Sequence, residues 1–331
     1  MKHYGVSALS VAIKHNPMRN WQDVGQGYFF SLGVQDPATG KAVDGNTVFR
    51  AGILSQPVFG YLVLRLANAQ RIDIDLPLQE YLDRPLTDYP EYADLKGDSR
   101  WKRLTARLIL AHRSGLINSR QSAPDKRLLF VSSPGKEFGY SEEGFRLLQF
   151  VLEKMSRASF VWEPRFEGHI AVPAGVDIAA DKGLGADAAG SLMTTPSDFL
   201  AFTHLVLCQG GLLNSMVTAS YFQPEVQIRS ARIVEAPAQG EVQSNPKGLA
   251  WCQGWARYGD WMHPTYFLGQ RENGLEVYAA YYASYHTLIC IMGISSGSRP
   301  FTARILEELL GDTSPPLTWL GFDDPSPRRK R

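Results

Sequence analysis

The sequence is poor in cysteine and in net charge, and it has no long apolar run. Its three cysteines, Cys208, Cys252 and Cys290, lie far apart, which excludes a disulfide framework and the spacing of a metal-binding cluster. A formal net charge of +1 removes the electrostatic argument for a nucleic-acid or membrane-surface partner. No window approaches the ~18 consecutive apolar residues of a membrane span. We therefore expect no metal, no cofactor, no nucleic acid and no membrane among its partners.

Neither end of the sequence has the pattern of a targeting signal. The start, MKHYGVSALSVAIKHN, lacks the charged first segment, the long apolar run and the cleavage site of a secretory signal. The one basic run, SPRRKR, stands at the end, where a frayed tail is the ordinary interpretation. With reduced thiols and no export signal, we expect a cytoplasmic protein.

The chain has 331 residues, of which 44% are hydrophobic and 20% charged, as in an ordinary globular protein. The first fifty residues alternate as strand, turn and strand, and the stretch 275–295 predicts a β-hairpin near the other end. Between them, 58–69 is apolar on nearly every face, which is typical of a buried helix. This order predicts an α+β fold, an α/β sandwich whose sheet joins N- and C-terminal segments around an inserted helical lobe.

We expect one domain over 1–331. The predicted sheet lobe covers about 1–50 and 245–312, the helical lobe about 51–244, and a tail 313–331.

Five stretches, in order and spread over nearly the whole chain, carry a family resemblance. They are FRAGILSQPVFGYLVLRLANAQRIDIDLPLQEYL, LTARLILAHRSGL, PGKEFGYSEEGF, AAGSLMTTPSDFLAF and GWARYGDWMHPTYFLGQRENGLEVY. Together they resemble the serine β-lactamase and penicillin-binding-protein-like hydrolases, most of all the class C enzymes and their esterase relatives. The resemblance implies a β-lactamase/transpeptidase-like fold.

The family's serine and lysine, three apart at the start of the buried helix, are replaced. The resemblance puts Ile53 at the nucleophile and Gln56 at the lysine, and neither side chain can do that chemistry. A shifted register offers Ser55, but the residue three later is Val58, which is no base. We interpret Ser55 as a helix cap or as a packing residue of the first turn.

The family's catalytic tyrosine is retained as Tyr140, and Glu142 stands where relatives have an asparagine. Tyr140 is either an acid-base group or a hydrogen-bonded structural tyrosine, and without the lysine its pKa should stay close to ~10. Glu142 is either an acid or base at the rim of an apolar pocket or a solvated residue of a first helical turn. As a pair they are the predicted catalytic residues.

A third family motif, on an inner strand, is also altered. Anchored on Gly274, the alignment puts Leu268 at the family's histidine and Gln270 at its glycine. Arg271 either binds an anion or is an exposed arginine at a strand end. Ile53, Gln56, Leu268, Gln270 and Arg271 are therefore the predicted ligand-binding residues.

Two further features modify the resemblance. His112 matches a histidine that is structural in the family, so we predict a buried, hydrogen-bonded side chain. The short stretch DIAADKGLGAD, residues 177–187, replaces a longer segment of relatives, which implies a shortened helical lobe. Pro164 and Gly168 predict a bend in the adjacent wall.

These changes leave three functions open. In the first, the site binds an apolar small molecule without a covalent bond and promotes cyclisation, isomerisation or elimination, plausibly in a biosynthetic pathway. In the second, the chain is a non-catalytic binding or regulatory protein that keeps the fold as a scaffold. In the third, it is a residual serine hydrolase that uses Ser55. The sequence does not indicate an oligomeric state.

Incubation with a fluorophosphonate or a β-lactam should leave the mass of the intact protein unchanged, because the position that would attack is Ile53. Intact-mass spectrometry measures this directly. A stoichiometric adduct mapped to Ser55 would show that the alignment has the wrong register.

Overall fold

The computed structural model describes most of the chain. The described residues are 4–15, 27–36, 38–157, 165–166, 170–171, 186–209, 213–229, 233, 248–272, 274–297, 299–311 and 314–322. The strands among them are β1 (Val6–His15), β2 (Gly27–Asp36), β3 (Lys41–Ala42), β4 (Phe49–Arg50), β5 (Arg165–Phe166), β6 (Ile170–Ala171), β7 (Met193–Thr194), β8 (Val226–Gln227), β9 (Ala250–Trp251), β10 (Ala256–Tyr258), β11 (Thr265–Glu272), β12 (Leu275–Tyr282) and β13 (Thr287–Ser295). The α-helices are α1 (Ser55–Asn68), α2 (Ala106–Leu110), α3 (Glu142–Ser156), α4 (Pro196–Gln209), α5 (Ser215–Phe222), α6 (Phe301–Leu310) and α7 (Ser314–Leu320).

One antiparallel sheet joins the two ends of the chain. Its strand order is β3-β2-β1-β13-β12-β11-β10-β9-β8, so β1 near the start pairs with β13 near the end. The middle six residues of β1 are all buried, and β13 is buried along nearly its whole length. Strands covered on both faces require near-continuous apolar sequence, which the VSALSVAI and TLICIMGIS segments supply.

Helices cover both faces of the sheet. Gly293 of β13 lies against Phe301 of α6 and Gly269 of β11 against Leu320 of α7, so these helices share one face. Helix α4 packs on β1 and β13, and a 3-10 turn, Gly52–Leu54, packs on β11 and β12. Because neighbouring residues of a strand point to opposite faces, Gln270, which touches Gly52, lies on the face opposite Gly269. The turn at Gly52 leads directly into α1.

Helix α1 is the buried helix that the sequence predicts. Its first seven residues, from Ser55 to Tyr61, are all buried, as expected for a helix with apolar residues on nearly every face. The predicted α+β sandwich, with an antiparallel sheet that joins N- and C-terminal segments, is confirmed.

The lobe limits differ from the predicted ones in two places. Strand β8 extends the sheet with residues assigned to the helical lobe, and α7 lies in the segment assigned to the tail. Trp319 of α7 is almost fully buried and packs against Phe138, Trp251 and Phe267. A short, proline-containing segment that was assigned to the tail thus contributes to the hydrophobic core. The predicted shortening at 177–187 and the bend at Pro164 and Gly168 lie almost entirely outside the described residues.

Among the described residues, no helix has the length and apolar character needed to cross a membrane.

Helix α6 is tied to the sheet by a buried carboxylate. Glu276 of β12 is 1% exposed and accepts hydrogen bonds from the backbone N–H groups of Phe301 (3.3 Å) and Thr302 (2.7 Å). Arg271 adds an ion pair at 3.3 Å. A carboxylate at the first turn of a helix satisfies donors that have no partner within the helix.

We expect Glu276→Ala to lower the free energy of unfolding by about 2–4 kcal/mol, because it leaves buried N–H groups and Arg271 without their acceptor. Denaturant unfolding measures the loss. Glu307→Ala is the matched control on α6, since Glu307 is exposed and pairs with Arg304 at 2.9 Å on the surface. Its effect should stay below about 1 kcal/mol, and equal losses for both variants would contradict the assignment.

Candidate functional site

Two of the predicted ligand-binding residues, Ile53 and Gln56, lie at the start of α1. Ile53 lies in the 3-10 turn before the helix, and Gln56 lies in its first turn. Gln56 is fully buried and Ile53 is nearly so. A buried amide must find partners for its oxygen and its nitrogen, so the environment of Gln56 defines the polar part of the site.

Gln56 lies in the middle of a buried chain of hydrogen bonds. The Nε2 of His112 contacts the Gln56 Oε1 at 3.0 Å, and the Gln56 Nε2 donates to the Tyr140 hydroxyl oxygen at 2.7 Å. At the other end, the backbone N–H of Ser141 donates to the His112 Nδ1 at 3.1 Å. The chain runs from Ser141 through His112 and Gln56 to Tyr140.

The direction of every bond in this chain follows from its first donor. The Ser141 N–H can only donate, so His112 Nδ1 must accept and the proton of the neutral ring must be on Nε2. That proton goes to the Gln56 oxygen, which directs the Gln56 NH₂ group toward Tyr140. The Tyr140 oxygen therefore accepts, and its own proton is left to be donated elsewhere. Among the described residues, that proton has no acceptor within hydrogen-bond distance.

Burial keeps both ring systems neutral. It lowers the pKa of His112 to about 3, because a charged imidazole would lose its hydration. Burial also raises the pKa of Tyr140 well above its ordinary value, and the nearby Glu142 carboxylate raises it further. The expectation that the pKa of Tyr140 stays close to the ordinary value is therefore wrong. At neutral pH Tyr140 is a hydrogen-bond donor and not a base.

Ser55 has a structural environment. It is fully buried, its hydroxyl donates to the carbonyl oxygen of Gly52 at 2.7 Å, and it accepts from the Leu192 N–H at 3.0 Å. Both functions of the hydroxyl are thus used within the backbone. The bonds join the start of α1 to the chain before β7, as expected for a packing residue of the first turn.

The Gln270 side chain occupies the backbone N–H of Ile53. Its Oε1 accepts from the Ile53 N–H at 2.8 Å, and its Nε2 donates to Glu272 Oε2 at 2.8 Å. Gly52 permits this approach, because a Cβ at Gly52 would lie 2.3 Å from the Gln270 oxygen. The Gln270 side chain thus fills space beside the Ile53 N–H that a glycine at 270 would leave open.

Glu142 begins α3, and Tyr140 lies in the non-helical segment before it, with Ser141 as the N-cap. Arg146 bridges the Glu142 carboxylate at 2.9 Å and that of Asp187 at 3.1 Å. Burial raises the pKa of Glu142, and the Arg146 charge opposes the rise. Glu142 is half-buried, so it can contact both solvent and a ligand.

The structure brings most of the predicted residues together, with one exception. Leu268 is fully buried on the same face of β11 as Gln270, because the two are two residues apart. Arg271 lies on the opposite face, where it pairs with Glu276 and donates to the Gly297 carbonyl oxygen. Its predicted placement among the ligand-binding residues is therefore corrected: Arg271 belongs to the attachment of α6.

Two contributions to the site were not predicted. His112 is buried and hydrogen-bonded as expected, but the sequence did not show that it orders the protons of Gln56 and Tyr140. The contact of Gln270 with the Ile53 N–H was also missed, since it depends on how β11 is placed against a distant turn. Among the described residues, no cluster of three or more His, Cys, Asp or Glu side chains could hold a metal ion.

Because the pKa of His112 is low in the folded chain, this histidine makes the fold less stable at low pH. Below pH 6.5 the unfolded chain binds a proton on this histidine that the folded chain does not bind until about pH 3, so the free energy of unfolding falls as the pH falls. We expect His112→Asn to remove this term, which amounts to about 2 kcal/mol between pH 7 and pH 5. The difference in free energy of unfolding between wild type and His112→Asn should therefore be about 2 kcal/mol smaller at pH 5 than at pH 7.

Denaturant unfolding at the two pH values measures it. His263→Asn is the control for replacing a histidine at an exposed position, because the His263 side chain is 57% exposed. A wild type and His112→Asn variant with parallel pH curves would contradict the neutral assignment of His112.

Comparison with known proteins supports this description of the fold. The family model described as Beta-lactamase matches residues 1–267. The octameric penicillin-binding protein homologue from Pyrococcus abyssi superposes with a TM-score of 0.67 at 15% identity, covering 94% of this chain and 75% of that chain. A class C β-lactamase from Rhodobacter sphaeroides gives 0.64 at 14% identity, covering 93% of this chain and 94% of that one.

A third similar structure is SurE with D-Leu, with a TM-score of 0.61 at 18% identity, covering 97% of this chain and 71% of that chain. At these identities the superpositions establish the fold alone. Since the family model covers most of the sequence and the sheet and helices have the matching arrangement, the chain belongs to the β-lactamase family.

Proposed function

We propose that this chain binds a largely apolar small molecule without forming an acyl-enzyme, and that Tyr140 promotes its cyclisation, isomerisation or elimination. The observation that carries the proposal is the proton order of the His112–Gln56–Tyr140 chain. It leaves the Tyr140 proton available to an acceptor atom of a ligand. Nucleophilic catalysis has no group at Ile53, so the proposed chemistry uses hydrogen bonding and proton transfer.

A neutral donor fixed in direction suits a carbonyl or ether oxygen. In each of these reactions negative charge grows on such an oxygen or on a leaving group, and an oriented donor stabilises that charge. The Tyr140 proton cannot turn toward Gln56, because it would then lie against a proton of the Gln56 NH₂ group. Tyr140 would therefore be preorganised as a hydrogen-bond donor to that oxygen.

Glu142 is the proposed partner base. Its carboxylate follows Tyr140 by two residues, and its raised pKa makes it a better proton acceptor than an ordinary glutamate. Arg146 holds the carboxylate at 2.9 Å and would stabilise its ionised form between turnovers. The pair would supply a donor and an acceptor at one edge of the site.

The remaining walls favour an apolar ligand. Ile53 and Leu268 are aliphatic where relatives of the family have polar catalytic groups, so the site carries less charge than theirs. The similar structure of SurE contains D-Leu, a small molecule with an aliphatic side chain and carboxyl oxygens. The three free cysteines accord with the proposed cytoplasmic location.

A second candidate, a non-catalytic binding or regulatory protein, is favoured by two observations. Gln270 already satisfies the Ile53 N–H, which closes the most direct contact for a substrate carbonyl. In addition, one face of β2 exposes Tyr28 (62%), Phe30 (39%) and Leu32 (47%), an apolar strip that a partner could cover. The third candidate, a hydrolase using Ser55, has no such support, because the Ser55 hydroxyl is buried and fully bonded.

We expect Tyr140→Phe to weaken the binding of carbonyl ligands by about tenfold, because it removes one oriented donor and almost no volume. Ligand-observed NMR with a set of cyclic ketones, lactones and lactams, each paired with its hydrocarbon analogue, provides the measurement. Any member that is converted should react roughly tenfold or more slowly with Tyr140→Phe or with Glu142→Gln.

Tyr89→Phe is the matched control, since Tyr89 is also buried but bonds to Asp83 and packs on Phe150, two turns along α3. It should leave carbonyl binding unchanged. The hydrocarbon analogues should not respond to either variant. Binding and turnover that are the same in wild type and Tyr140→Phe would refute the role of Tyr140 and favour the non-catalytic candidate.

A further inference from the structure

The side-chain amide of Gln270 is held at both of its polar ends. Its oxygen accepts from the Ile53 N–H at 2.8 Å, and its nitrogen donates to the Glu272 carboxylate at 2.8 Å. A backbone donor and a carboxylate acceptor therefore lie on either side of one planar carboxamide. This pair is complementary to a C=O and an NH₂ on the same carbon.

The backbone is shaped around that amide oxygen. Gly52 has a φ of +52°, and a Cβ there would lie 2.3 Å from the Gln270 Oε1 and 3.5 Å from Leu275. A left-handed glycine is needed both for the turn and for the approach of the oxygen to the Ile53 N–H. The missing side chain at Gly52 thus leaves room for a carboxamide oxygen beside the Ile53 N–H.

We propose that the Ile53 N–H and the Glu272 carboxylate form a subsite for the primary carboxamide of a small-molecule ligand, which Gln270 occupies in this structure as an internal substitute. The subsite rests on the proposed function only in that a ligand enters this site, and it does not require Tyr140 to act. Gln270 is half-buried and Glu272 is exposed, so the amide can be reached from solvent.

Displacement of Gln270 by a ligand is energetically accessible. The incoming carboxamide remakes both hydrogen bonds that Gln270 gives up, so the exchange costs no unsatisfied donor or acceptor. A neutral hydrogen bond of this kind changes an equilibrium by roughly tenfold or less. Because the Gln270 side chain competes with the ligand, wild type should bind the ligand about tenfold more weakly than a variant without that side chain.

The test uses Gln270→Gly with propionamide, which replaces the atoms that this substitution removes. The full chain is labelled with ¹⁵N-isoleucine, and the Ile53 amide resonance is assigned from its absence in Ile53→Val. Titration of Gln270→Gly with propionamide should shift the Ile53 resonance downfield to saturation. The dissociation constant should be about tenfold lower than for wild type.

Three controls define the ligand class and the residues. N,N-dimethylpropionamide keeps the carbonyl but has no N–H for Glu272, so it should bind much more weakly. Gln270→Leu fills the recess without an amide and should not respond to propionamide. The double variant Gln270→Gly with Tyr140→Phe should respond like Gln270→Gly, which separates the subsite from the proposed function of Tyr140.

If Gln270→Gly does not fold, Gln270→Ala with acetamide repeats the measurement with a shorter replacement. Saturable shifts of the Ile53 resonance that require the amide N–H groups, and that are lost with Glu272→Ala, which removes the acceptor, are the expected result. Equal binding of propionamide and its dimethyl analogue, or an Ile53 resonance that does not move in either variant, would overturn the carboxamide subsite.

Discussion

The buried amide of Gln56 is the constraint on which the site depends. An amide without access to water is tolerated only when its oxygen and nitrogen both find partners, and here these are His112 and Tyr140. A lysine at the same position would need a negative or strongly polar partner, whereas glutamine needs one donor and one acceptor. With glutamine at this position, the site is neutral and its hydrogen bonds have a fixed direction.

The fold was predictable because its signals are long and periodic. The alternating strands near both ends and the all-round apolar helix α1 fix the sheet, and the order of five short stretches indicates the family. Helix α7 was missed because its sequence, SPPLTWL, has two prolines and only a few apolar residues. Its stability comes from packing of Trp319 against Phe138 and Trp251, which no local pattern shows.

The sequence predicted which residues form the candidate site better than it predicted the contacts between them. The family pattern placed Ile53, Gln56 and Tyr140, and the structure brings them together at the start of α1. Arg271 was assigned to the site because it is adjacent to Gln270 in the sequence. Adjacent residues of β11 point to opposite faces of the sheet, so the two side chains lie apart. The contact of Gln270 with Ile53 joins residues 217 positions apart, a distance over which sequence patterns carry no register.

The close approach of Gln270 to Gly52 also couples substitutions at these two positions. A Cβ at position 52 would lie 2.3 Å from the amide oxygen, so the Gln270 side chain would have to move away from the Ile53 N–H. The φ of +52° disfavours a side chain at position 52 whatever residue stands at 270. A substitution at 52 should therefore cost more beside glutamine than beside a small residue at 270, a form of epistasis set by a single contact.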